Sequence, residues 1–66
     1  MAVAKVIELS AASSKSIEDA VENGLKRANE TLNDVAGIWV KDIECTVKDG
    51  KIDEWRVGLK VTFVLK

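Results

Sequence analysis

Sixty-six residues with a net charge of −1 and both signs dispersed argue against a nucleic-acid or anionic-membrane surface, and no apolar run is long enough for a transmembrane helix. One cysteine and no histidine exclude an internal disulfide and disfavour a structural zinc site. A single domain spanning 1–66 is expected; its one core supplies only ~3–5 kcal/mol, and with the usual staples missing, oligomerisation is the remaining remedy.

The opening Met1-Ala-Val-Ala-Lys5 lacks the basic and long apolar regions of a signal peptide, so a cytoplasmic location is expected. Residues 3–9 (Val-Ala-Lys-Val-Ile-Glu-Leu) are short and rich in β-formers, which predicts a first strand. Val3, Ile7 and Leu9 share one face with Lys5, and Val6 shares the other with Glu8. Residues 10–16 read as a loop carrying helix-start chemistry. Ser16 followed by Asp19 resembles a capping box, and Ser14 is the other candidate cap.

Ile17, Ala20, Val21, Gly24, Leu25, Ala28 and Leu32 then recur at helical spacing, with Glu18, Glu22, Lys26, Arg27 and Glu30 opposite. An amphipathic helix of roughly 17–19 residues, ~27 Å long, follows. Gly24 lies on its apolar side against helix propensity, so close packing on a strand is the expected reason. Asn33-Asp34 ends the helix.

Val35–Val47 reads as a long strand. Ile38 and Val40 share a face, whereas Ile43, Cys45 and Val47 fall on the other in a regular strand. One extra residue near Lys41–Asp42, a β-bulge, brings all five to one side and turns Trp39 away from it. Lys48-Asp-Gly-Lys51 has the chemistry of a type I′ hairpin turn. The last strand runs from Ile52 towards Leu65, with Trp55, Val57, Leu59, Val61 and Phe63 alternating against Arg56, Gly58, Lys60 and Thr62.

The order is β-α-β-β, an α+β chain. The last two strands, ~40 Å long at ~3.3 Å per residue, exceed what one helix covers. The hairpin therefore overhangs, and the sheet face bearing Trp39, Lys41, Arg56, Lys60 and Thr62 has no helix over it. Long uncovered edges associate unless blocked, so a closed oligomer is expected.

No catalytic constellation stands out. Cys45 lies on the inward face without an activating histidine and reads as a buried structural thiol. The serines at 10–16 lack a general base, and Trp55 belongs with the core row. Asp42 and Glu44, repeated by symmetry, could hold a divalent cation; solvated strand charge is the plainer reading. Trp39 is either an interface anchor or a stacking platform. Beside Arg56 and Lys60, such a platform suits a planar, electron-poor or anionic ligand.

Lys5-Val-Ile-Glu-Leu9, the Ser13-Ser-Lys-Ser-Ile17 helix entry, Arg27-Ala28, Glu30-Thr31 and the Val61-Thr-Phe63 ending together resemble the dodecins, across essentially the whole chain. The resemblance implies a three-stranded antiparallel sheet partly wrapped around one helix and a hollow homododecamer. It also implies a non-enzymatic store or buffer for flavin, riboflavin or FMN, with a ligand site at Ala36, Gly37, Trp39, Asp42 and Arg56. Two positions depart from the flavin-binding pattern. Gly37 stands where those proteins carry their stacking Trp, and Arg56 where a Gln commonly contacts the ring. Trp39 is displaced by two residues, ~7 Å along the same face. Some relatives lacking the usual Trp are associated with calcium, which leaves two alternatives: a calcium site at Asp42 and Glu44, or an assembly with no small ligand.

Overall fold

A computed structural model describes residues 3–65. Strand β1 (Val3–Ser13), helix α1 (Ile17–Thr31), strand β2 (Val35–Lys48) and strand β3 (Lys51–Leu65) follow in that order. They form one antiparallel sheet in the spatial order β1-β3-β2, so the last strand is the central one.

Two boundaries correct the sequence reading. β1 extends through Ser13 rather than stopping at Leu9, because Ser10, Ala11, Ala12 and Ser13 pair with Gly58, Val57, Arg56 and Trp55. Pairing to the free edge of β3 overrides the weak strand propensity of small residues. The helix has 15 residues, shorter than the spacing suggests, because Leu32 takes extended backbone and closes the helix with its N–H on the Ala28 carbonyl. At the other end Ser16 is the cap, its hydroxyl accepting from the Asp19 N–H at 3.0 Å. This occupies one of the orphan donors of the first turn.

β2 carries the expected bulge. Val40 pairs with Leu59 and Asp42 with Gly58, leaving Lys41 as the extra residue. Opposed residues in an antiparallel pair share a face. Ile38, Val40, Ile43, Cys45 and Val47 therefore lie on the same side as Val61, Leu59, Val57, Trp55 and Ile52. That side holds the core, where Val57 and Leu59 pack with Ala20 of the helix and where Val61 and Ala28 are buried too. Gly24 lets the helix settle there: a side chain in its place would collide with Leu59 Cδ1 and lie 3.3 Å from Ala11 Cβ.

The hairpin turn has the expected backbone, with Asp49 at φ 52 and Gly50 at φ 76, as a type I′ turn requires. Beyond the Ser13–Trp55 pair the hairpin continues without β1, and the molecule reaches 51 Å in length. Val47 and Ile52 on this overhang are 68% and 50% exposed, and Ile43, which lies within the three-stranded part opposite Val57, is 52% exposed as well. Cys45 corrects the expectation of a buried thiol. It is on the inward face but exposed, because the ~22 Å helix ends short of it.

Candidate functional site

The bulge at Lys41 decides which side chains β2 presents on the uncovered face. Gly37, Trp39, Asp42 and Glu44 emerge there, opposite Thr62, Lys60, Gly58 and Arg56 of β3. Four of the five expected ligand residues therefore line one surface: Gly37, Trp39, Asp42 and Arg56. Ala36 departs from them. It is the unpaired residue at the irregularity between Val35 and Gly37, and an open groove of about 360 Å³ is lined by Ala36 and Gly37 together with Val21, Leu25, Val35 and Ile38.

Trp39 is 65% exposed, although its ring is large and apolar. Lys60, directly across the pair, places its Nζ 5.0 Å from the ring centroid. That is within the range of a cation–π contact. At Gly37 an added Cβ would meet only Thr62 Oγ1, at 3.3 Å. The Thr62 hydroxyl donates to the Gly37 carbonyl at 3.3 Å. Gly37 thus presents no side chain beside the indole, and a larger residue there would need Thr62 to shift by a few tenths of an ångström.

Asp42 folds its carboxylate flat over Gly58, where any side chain would collide with it. Arg56 pairs with Glu54 of its own strand at 3.5 Å and lies across from Glu44. Lys41, projecting from the bulge, reaches across β3 to Glu8 of β1, with Nζ–Oε1 3.6 Å. The sequence placed Lys60 and Arg56 on Trp39's side. It held no signal for the direct Lys60–Trp39 opposition, for the Lys41–Glu8 pair or for the Asp42–Gly58 contact, all of which depend on register.

Asp42 and Glu44 share the face, as a cation site would need. Among the described residues no three Asp, Glu or Cys side chains gather closely enough to hold a metal ion. An ion held by these two carboxylates would need further oxygen donors, from backbone carbonyls, water or another subunit.

Sheet, helix and exposed aromatic face define a small β-α-β-β binding protein. The chain belongs to the dodecin family, whose profile, described as Dodecin, matches residues 3–66. It is 34% identical over 64 residues to a dodecin of Thermus thermophilus, covering 97% of this chain and 93% of that one. The structure of dodecin from Streptomyces coelicolor superposes with a TM-score of 0.94 at 31% identity, covering 98% of this chain and 93% of that one. The Mycobacterium tuberculosis calcium dodecin, described as a calcium-chelating antigen with a novel calcium-binding site, gives 0.83 at 31% identity, covering 97% and 91%. Dodecins are non-enzymatic binding proteins, and membership implies a homo-oligomer. No helix among the described residues is long and apolar enough to cross a membrane.

Proposed function

We propose that this dodecin is a cytoplasmic, cage-forming homododecamer that binds a flavin, riboflavin or FMN, or a related planar molecule. Its ligand rests on the uncovered sheet face at Gly37, Trp39, Asp42 and Arg56, with Ala36 at the margin. The observation that carries this reading is the Trp39 indole, 65% exposed on a face that no element among the described residues covers. Burying that surface against a second aromatic plane removes apolar area from water and adds a favourable stacked geometry.

The separation of the candidate residues supports a site shared between subunits. Gly37 stands opposite Thr62, six residues from Arg56 along β3, or ~20 Å at ~3.3 Å per residue. A single ring touching both positions would draw them from two copies of the chain. The assembly and the site then depend on each other.

Titration with riboflavin and with FMN tests the reading. Flavin and Trp fluorescence should both be quenched, and Trp39→Ala should abolish that response while the oligomer keeps its mass. Stacking of a base on an aromatic side chain is worth ~1–3 kcal/mol, so affinity should fall by roughly five- to a hundredfold. Dissociation of the oligomer by Trp39→Ala would make Trp39 an interface anchor instead. Calcium at Asp42 and Glu44 is the second reading, favoured by their shared face and by the M. tuberculosis neighbour. It predicts a melting temperature that rises with calcium and no quenching by flavin.

A further inference from the structure

The charged groups of the uncovered face are not equivalent. Lys41 engages Glu8, and Arg56 engages Glu54. Lys60 lies between strands, opposite Glu8 on one side and Trp39 on the other. Its natural carboxylate partner would be Glu8, which Lys41 already holds. Asp42, the other nearby acid, turns its carboxylate onto Gly58, one step further along the same face. Glu44 lies across from Arg56. Among the described residues no carboxylate pairs with Lys60, and its ammonium rests against the indole.

We propose that Lys60 determines ligand specificity at this site, selecting a planar aromatic anion: a ring that stacks on Trp39 and carries a carboxylate or phosphate for the Lys60 ammonium. This rests on Trp39 acting as the stacking platform of the proposed ligand site. An exposed cation–π contact is weak, so the ammonium is free to exchange the indole quadrupole for a full negative charge. At 65% exposure the indole keeps area for a second ring, and Gly37 puts no side chain beside it. A neutral ring would gain the stacking alone. An anionic one would also gain a charge-assisted hydrogen bond from Lys60. Arg56 lacks this role because Trp39 stands opposite Lys60, four residues or ~13 Å along β3 from Arg56 at ~3.3 Å per residue.

The test compares two pairs of probes that differ in charge: riboflavin with riboflavin phosphate, and 2-naphthamide with 2-naphthoate. Affinities are measured by calorimetry at low and high salt for the unmodified protein, Lys60→Gln and Lys60→Arg, with the mass of each assembly checked. At low salt the unmodified protein should bind each anion about tenfold more tightly than its neutral partner, a preference of the size expected for one partly screened charge pair. The preference should shrink at high salt, vanish in Lys60→Gln and survive in Lys60→Arg, with neutral-probe affinity little changed. Equal binding of charged and neutral probes by the unmodified protein overturns the inference, whatever the variants do. So does a preference that persists in Lys60→Gln. If neither flavin binds but 2-naphthoate does, in a Lys60-dependent way, the flavin assignment falls and the selection of aromatic anions stands. If none of the four binds, both fall.

Discussion

Gly24 shows how one missing side chain sets the distance between helix and sheet. A Cβ there would collide with Leu59 Cδ1, and Leu59 is 1% exposed and has nowhere to go. Overpacking of this kind costs ~1–3 kcal/mol, which outweighs the gain of up to ~1 kcal/mol in helix propensity. Gly24→Ala should therefore destabilise the fold, and Leu59→Val should partly relieve it. Urea unfolding at fixed protomer concentration measures the coupling; additive effects of the two changes would contradict the collision. Arg56 makes a different point. Its five donors and no acceptor leave the N3–H of an oxidised flavin ring unpaired at this position, a loss of ~1–3 kcal/mol if that group is buried. Riboflavin should bind weakly, and Gly37→Trp with Arg56→Gln should strengthen it in a direct titration. Gly37 has no positive φ, so only Thr62 has to move aside. Tight riboflavin binding by the unmodified protein would show that Arg56 does not meet the ring.

Among the elements, β2 depends most on a single residue. Its two apolar runs have opposite parity, and the extra residue Lys41 brings them onto one side. The side chain of Lys41 matters little for stability: its pair with Glu8 is exposed and 3.6 Å long, a geometry worth ~0–1 kcal/mol. Its backbone is another matter. Deleting Lys41 would turn either Ile38 and Val40 or Ile43, Cys45 and Val47 to the opposite face. Lys41→Ala should fold and assemble normally, whereas the deletion should leave no native assembly by circular dichroism and size exclusion. A folded, assembled deletion variant would mean that the register of β2 is not held by its hydrophobic pattern.

At the scale of the whole molecule, the isolated chain is unfinished. The hairpin extends past β1, leaving Val47 and Ile52 68% and 50% exposed on the core side, and Ile43, within the three-stranded part, stands 52% exposed there too. On the other side of the sheet Trp39 is open as well. A chain of this size has little stability to spare, and these surfaces are the obvious source of more. Native mass measurement should show a dodecamer, and dilution should lose fold and assembly together. A folded monomer persisting at micromolar concentration would contradict the assembly.

What could be read along the chain is local in its physics. The Ser16 cap, the Asp49-Gly50 turn and the alternation of Trp55 to Phe63 each follow from neighbours a few residues away. Even the Lys41 bulge was legible, because a change of parity inside one strand has few remedies. Function was legible as far as the family and the exposed aromatic. The tertiary structure decided the rest. That β3 is central, that Ser10 to Ser13 continue β1, and that Ala36 leaves the row of Gly37, Trp39 and Asp42 all depend on which strand edges meet. Lys60 shows the difference most sharply. Parity puts it on Trp39's face, but only the cross-strand register sets it against the ring, with Glu8 already claimed by Lys41. Glu8 and Lys60 are more than fifty positions apart, and pairing over that distance is set by packing of the whole sheet, which no local pattern in the sequence encodes.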